Sequence, residues 1–302
     1  MRTVTMENLP MQTLELSDGA IVHYRQAGQG PPLLLLHGWA GSSRYWQGTL
    51  TRLADIRTIY APDLPGYGTS PPLNRPATPE TMTRLLIEFA DMLGLAQFDL
   101  NAHSLGAVMA VAIAVGSPER VRRLVLTCTG TYKNERNRRI VERVHRIMEL
   151  WLVLRHPRMG TIRPFYRAVA RRFFYRVPND DTLLRDSFAD FLNMDKKTAL
   201  ETSKNSVSPD YNDTLRLVAA PTLVIGARQD HLMPHYGPPM ISQLVPNNHL
   251  VWIERCGHLP MVERPWLYHE LVRRFLLDDE AGVSLPLVET RAERIVEGAM
   301  MV

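Results

Sequence analysis

Four consecutive leucines at residues 33–36 lie between Pro31-Pro32 and His37-Gly38. The run is too short for a core helix and leaves no polar position for a solvated face. It fits a strand covered on both sides, as in a parallel sheet. Short apolar runs recur at 58–61, 98–102, 121–127, 222–225 and 249–253. Helices are read at 45–53, 78–93, 105–115, 238–244 and 264–277. Thr78-Pro79-Glu80 supplies an N-cap with Pro in the first turn. Segments 13–16 and 20–26 read as two strands joined at Ser17-Asp18-Gly19. Strands alternating with helices predict an α/β fold with a mostly parallel, doubly wound sheet.

The alternation stops between residues 130 and 215, which read as helices only. That stretch is too long for a loop and too polar to extend the main core. The expected organisation is a core made of 1–130 and 216–277, a helical cap insertion at 131–215 and a tail at 278–302. A short helix is read over 289–297 of the tail.

Composition narrows the function classes. Of the 302 residues, 45% are hydrophobic and 22% charged, enough apolar content to exclude a wholly disordered chain. Two cysteines exclude a disulfide scaffold and fit neither a Cys-rich zinc site nor an iron–sulfur site. Residues 1–11 lack the apolar run of a signal peptide, and no apolar stretch approaches the ~18 residues of a spanning helix. A reducing, cytoplasmic setting is expected. The net charge of +4 is uneven: residues 133–176 hold 13 Lys/Arg and 3 Glu, leaving −6 for the rest. Residues 177–214 hold 8 Asp/Glu against 4 Lys/Arg, so local pairing can absorb much of the excess. The basic segment otherwise fits an anionic surface or substrate.

Ala102-His103-Ser104-Leu105-Gly106 lies between an apolar strand and a small-residue helix. A sharp strand-to-helix turn there would hold Ser104 in a strained conformation and push its hydroxyl above the sheet. The helix would aim free N–H groups at a reacting carbonyl. A serine hydroxyl needs a base, and the base an orienter. Of the ten histidines, His258 is the one placed in a Gly-containing loop beyond a strand's carboxyl end, the edge where ligands bind in open α/β sheets. Asp230 follows the strand 222–225 at the same edge. Asp63 also follows a strand but reads as a turn former, and His37 as a buried turn residue.

The order Ser104, Asp230, His258 resembles that of the α/β-hydrolase superfamily, in its lipase, esterase and haloperoxidase-like branch. His37-Gly38-Trp39 resembles its oxyanion loop, Asp63-x-x-Gly66-x-Gly68-x-Ser70 its turn, and Gly257-His258-x-Pro260-x-x-Glu263-x-Pro265 its histidine loop. The similarity covers 13–130 and 216–277, and the helical block falls where the family places its cap. The resemblance implies Ser104 as nucleophile, His258 as base and acid, and Asp230 as orienter. It implies the backbone N–H groups of Trp39 and Leu105 as oxyanion hole. Ala102 departs from the glycine of the elbow motif by one methyl.

A serine hydrolase of small or medium, largely apolar carboxylic esters follows as the leading expectation. A cofactor-free C–C hydrolase or perhydrolase on the same triad is the alternative, weakened because Gly-Pro-Gly does not follow His37-Gly38. A non-catalytic ligand-binding or accessory protein of the same fold is the third. Ser104 argues against aspartyl-ester chemistry, and His37-Gly38-Trp39-Ala40-Gly41 differs from the H-G-G-P-G of proline iminopeptidases. No Walker-type loop or metal spacing appears, so neither cofactor nor metal is expected, and no nucleic-acid partner is.

Within the cap, Ile140, Val141, Val144, Ile147, Met148 and Trp151 follow the spacing of one buried helical face. Trp151, Phe165, Phe173, Phe174, Phe188 and Phe191 read as the cap's own core, with one or two lining an acyl pocket. Residues 150–154 are apolar all round. They fit either packing on other cap helices, with the arginines paired to the cap's acidic half, or a lid meeting apolar acyl chains on anionic lipid.

Overall fold

The computed structural model describes residues 9–205 and 210–277. Among the described residues eight strands form one sheet: β1 (Gln12–Glu15), β2 (Ile21–Gly28), β3 (Pro32–Leu36), β4 (Thr58–Pro62), β5 (Phe98–His103), β6 (Val121–Thr127), β7 (Thr222–Ala227) and β8 (Asn248–Ile253). Their spatial order is β1-β2-β4-β3-β5-β6-β7-β8. The hairpin β1–β2 is antiparallel and β2 runs antiparallel to β4; the pairs from β4 onward through β8 are parallel.

The four leucines of β3 are wholly buried, and the period of two divides them. Leu34 and Leu36 join one apolar core with Leu100, Leu124 and Leu126, beneath α2 (Pro79–Met92) and α3 (Leu105–Gly116). Leu33 and Leu35 join the other with Ile59, Val125 and Ile225, beneath α1 (Gln47–Arg52) and α11 (Pro265–Leu277). Burying each such side chain is worth about 1.5–3 kcal/mol, so a single polar substitution in this run would penalise one core or the other. The helix expected at 45–53 divides into a 3-10 turn (Ser43–Trp46) and α1. The one expected at 264–277 is preceded by the short α10 (Pro260–Glu263), because Pro260 and Pro265 each open their own helix.

Between β6 and β7 the chain is helical: α4 (Glu135–Leu154), a 3-10 turn (Pro157–Thr161), α5 (Arg163–Ala170), α6 (Asp181–Asn193), α7 (Lys196–Asn205) and α8 (Tyr211–Arg216). The remaining helix, α9 (Gly237–Leu244), joins β7 to β8. The block holds a small core of Tyr166, Phe174, Leu184 and Phe188, with Phe165, Phe173 and Phe191 partly buried against it. One part of the sequence reading is corrected on α4. Ile140 and Ile147, assigned to its buried face, are 48% and 59% exposed, and Leu150, Val153 and Leu154 do not pack either. Only Leu152 of residues 150–154 is buried among those described. The helix carries apolar residues on more than one face, so periodicity alone did not select the one that packs. The side chains of Val141, Val144, Met148 and Trp151 and the helix read over 289–297 lie outside the described residues. No described helix is long and apolar enough to cross a membrane.

At the amino ends of the parallel strands a buried ion pair closes the sheet. Arg57 donates to Asp99 at 2.8 Å and to the Leu276 carbonyl at 2.5 Å, and Arg122 adds a bond to Asp99 at 2.9 Å. Asp99 is completely buried and Arg57 nearly so. Asp99→Ala would strand a buried guanidinium, and its urea midpoint should fall by the equivalent of about 3–5 kcal/mol. An Asp99→Ala variant as stable as the parent would show that the pair does not hold this edge.

Candidate active site

The carboxyl edge of the sheet gathers the loops singled out in the sequence. β5 ends at His103, and α3 begins at Leu105. Ser104 between them has φ 50° and ψ −116°, a left-handed conformation that costs a non-glycine residue about 1–3 kcal/mol. Its N–H donates to the Thr127 carbonyl at 3.0 Å, fixing the turn to the end of β6. A Cβ at Gly106 would lie 2.6 Å from the carbonyl oxygens of Leu36 and His37, and one at Gly38 would lie 3.0 Å from Ser104 Cβ. Both glycines are therefore required for the β3 loop to meet the serine turn. Ala102 is wholly buried in the core, so the extra methyl of the departing position is accommodated there.

His258 follows β8 and Asp230 follows β7. The His258 Nδ1 and Asp230 Oδ2 atoms are 2.7 Å apart, both side chains buried. The other carboxylate oxygen accepts the N–H groups of Leu232 and Met233 at 2.8 and 3.0 Å. Burial raises the Asp230 pKa, but His258 and these two amides more than offset it, holding the carboxyl below its usual range. An ionised carboxylate only accepts, so Nδ1 is the donor in this bond, and in the neutral ring the lone pair belongs to Nε2. Gln229 ties the two loops: its N–H donates to the Cys256 carbonyl, and its side-chain oxygen accepts the Cys256 N–H, both at 3.0 Å. Among the described residues no hydrogen bond joins Ser104 Oγ to the His258 ring, a contact that commonly tightens only with substrate bound.

A chain of polar groups surrounds these three side chains and was not visible in the sequence. The Gly38 N–H donates to the Tyr45 hydroxyl, which lies 3.0 Å from His103 Nδ1, and His103 Nε2 lies 2.8 Å from the His258 carbonyl oxygen. Burial, and then the neighbouring His258, push the His103 pKa well below its usual value, so the ring is neutral. One tautomer satisfies every partner: Tyr45 donates to Nδ1, and Nε2–H donates to the carbonyl. The backbone of the loop after β3 is thereby linked to the His258 backbone through a single ring.

Glu263 is the second unforeseen tie. Its carboxylate accepts the N–H groups of Gly257, Tyr175 and Arg176 at 2.7, 3.1 and 2.6 Å. His258 N–H in turn donates to the Phe173 carbonyl at 2.6 Å, and a Cβ at Gly257 would lie 2.4 Å from that same oxygen. The histidine loop is thus clamped to the helical block. Burial raises the Glu263 pKa against the pull of these amides.

The remaining sequence candidates fall into place. Asp63 accepts from Ser43 N–H, Thr69 N–H and the Thr69 hydroxyl, so it closes its own turn and is spent as an orienter. His37 is buried, with Nδ1 2.8 Å from the Gly38 carbonyl and Nε2 accepting the Leu64 N–H at 2.9 Å. Trp39 donates its indole N–H to the Ala199 carbonyl at 3.0 Å and packs near Phe191. Among the described residues neither the Trp39 nor the Leu105 amide has a hydrogen-bond acceptor, the latter being the first of its helix. Cys128, Asp230 and His258 each offer a ligand atom within 4.8 Å of the others. Burial raises the Cys128 thiol pKa well above its usual value.

A model of the family described as the alpha/beta hydrolase fold matches residues 31–265. The chain is 28% identical to a 2-hydroxymuconate semialdehyde hydrolase of Pseudomonas putida, covering 91% of this chain and 99% of that one. It is 27% identical to a pimeloyl-[acyl-carrier protein] methyl ester esterase of Aeromonas hydrophila, covering 84% and 99%. The fold is similar to that of a thermophilic esterase from Thermogutta terrifontis, with a TM-score of 0.73 at 23% identity over 88% of this chain and 98% of that one.

Two outcomes follow from this geometry. Glu263→Ala would leave three amides without their acceptor, and urea unfolding should show a loss of about 2–4 kcal/mol, with a smaller loss for Glu263→Gln. Unchanged midpoints in both would show that the clamp carries no stability. For Asp230 the folded pKa lies below the unfolded value of about 3.9. Its stabilisation is complete above that pH and disappears as pH falls through the folded value. The stability gap between the parent and Asp230→Asn should therefore be present at pH 7 and close in strong acid; a gap independent of pH would contradict it.

Proposed function

Because the chain belongs to the alpha/beta hydrolase fold family, we propose that it is a serine hydrolase of carboxylic esters acting through an acyl-enzyme on Ser104. The observation that carries this reading is the strained Ser104 turn, whose neighbour His103 lies 4.6 Å, centroid to centroid, from a His258 ring bonded through Nδ1 to a buried Asp230. Ser104 Oγ attacks the ester carbonyl carbon as His258 Nε2 takes the hydroxyl proton. Asp230 holds the ring in the required tautomer and stabilises the imidazolium. The N–H groups of Trp39 and Leu105 receive the negative oxygen, each worth about 3–4 kcal/mol of transition-state stabilisation. Collapse expels the alcohol with the proton from His258. Water then attacks the acyl carbon by the same steps in reverse roles and releases the acid.

The helical block acts in this reading as a cap spanning 131–215. The side chains it brings to the site are apolar: Phe173 lies beside His258, with ring centroids 6.3 Å apart, and Phe191 lies beside Trp39 at 6.2 Å. A wall of this kind suits small or medium, largely apolar esters. The similarity to a semialdehyde hydrolase keeps C–C hydrolysis as a second reading, since the same Ser-His-Asp arrangement serves both. The run His37-Gly38-Trp39-Ala40-Gly41, without Gly-Pro-Gly, supports the ester.

A fluorophosphonate probe should label Ser104, and Ser104→Ala should abolish both labelling and ester turnover; unlabelled folded protein would point to an accessory role instead. Asp230→Asn should keep the fold and lose on the order of 10⁴ in kcat. A panel of activated esters of increasing acyl length beside a vinylogous diketone separates the two chemistries. Turnover of the diketone alone would overturn the ester reading.

A further inference from the structure

We propose that the outer face of α4 docks on an anionic lipid surface. Eleven large apolar residues are exposed among those described, and five of them, Ile140, Ile147, Leu150, Val153 and Leu154, lie on this one helix. Arg136, Ile140, Arg143, Ile147, Leu150 and Leu154 recur at alternating four- and three-residue spacing, so they share one exposed stripe. Arg139 and Arg146 flank it. The stripe is basic toward the amino end and apolar toward the carboxyl end.

The opposite side of α4 is committed. Leu152 is buried, and α4 packs on α7. Arg138 is held by Glu135 and Glu142. Beyond the helix, Arg155 donates to the carbonyls of Phe191 and Met194 at 3.0 and 2.6 Å. The acidic residues of α6 serve other arginines: Asp181 pairs with Arg163 and Arg167, and Asp186 and Asp190 with Arg44. Among the described residues Arg136, Arg143 and Arg146 have no ion-pair partner. The expected pairing of the basic segment with its acidic neighbour thus stops short of this face.

Charge decides the occupant. A second copy laid on the stripe, parallel or antiparallel, would set guanidinium groups against one another or against apolar side chains, with no carboxylate to receive them. Lipid phosphates supply acceptors matched to the guanidinium fork, and acyl chains receive the apolar half. The 278–302 tail has six acidic and two basic residues. The helix before it, α11, ends by Leu276, whose carbonyl binds Arg57 at the amino ends of the strands. That is the sheet edge opposite the loops the helical block covers. At about 30 Å long, α4 can lie in the interface without crossing it.

The test does not depend on hydrolysis, so it stands or falls separately from the proposed activity. Full-length protein is co-sedimented with vesicles of equal phosphatidylglycerol and phosphatidylcholine, and with phosphatidylcholine alone. Binding is expected on the anionic vesicles only, weakening at least about tenfold from about 0.05 to 0.5 M salt. The pairs Leu150→Asp with Leu154→Asp and Arg143→Gln with Arg146→Gln should each weaken it about tenfold or more while keeping the parent's urea midpoint. No binding at low salt would overturn the proposal, as would binding by both pairs of variants equal to the parent's. So would a dimer in light scattering that the leucine variants convert to monomer, which would give the face to a second copy.

Discussion

Everything polar at the carboxyl edge of the sheet depends on how closely the turn after β5 approaches the end of β3. Two missing Cβ atoms, at Gly38 and Gly106, set that distance, since either would collide with the facing backbone or side chain. With the loops in contact, the free amides of Trp39 and Leu105 come to the same edge as Ser104. The strain in Ser104 is sustained by that closeness and by the β5–β6 pairing into which its own N–H is drawn. The two buried cores supply the stability that offsets it, each taking alternate leucines of β3.

His103 gives this edge a second layer of order. Its neutral ring is bonded on both nitrogens, one toward the loop that carries Gly38 and the other toward the backbone of His258. A polar group so deeply buried is expensive to leave unpaired, and every partner here is satisfied. The ring therefore acts as a spacer between the Gly38 loop and the His258 backbone. Its depressed pKa serves the same end, because a charged ring could not accept from Tyr45.

How much of this was legible in the sequence follows from what kind of information each residue depends on. Ser104, Asp230 and His258 stood out because each lies just past an apolar run, and parallel strands put all such ends at one edge. Their order in the chain added the family. The Asp63 turn was equally readable, since its glycines and serine are local to it. Tyr45 and the three amides on Glu263 were not readable, because those contacts depend on which distant loops meet and at what angle. Glu263 was noticed only as a member of the histidine-loop motif, and its partners Tyr175 and Arg176 carry no motif at all. The outer face of α4 was misread for a different reason. Periodicity shows that a face is apolar, and on a helix with two such faces it does not show which one the rest of the chain covers.

The ties between the helical block and the core constrain how Ser104 can be reached. Glu263 holds amides on both sides of the boundary. Asp190 accepts the Ser42 hydroxyl at 2.6 Å, Tyr67 and Thr202 share a bond at 2.5 Å, and Asp195 N–H reaches the Gly66 carbonyl at 2.7 Å. Breaking such a buried bond without replacement costs about 1–3 kcal/mol per group. Lifting the whole block would break several at once and separate His258 from the Phe173 carbonyl that positions it. That sum is comparable to the total stability of an ordinary domain, about 5–15 kcal/mol. Smaller movements, of side chains such as Phe173 and Phe191 that are only partly buried, would break none of these bonds. Such movements would leave the clamp on the histidine loop in place, with His258 still held to the Phe173 carbonyl.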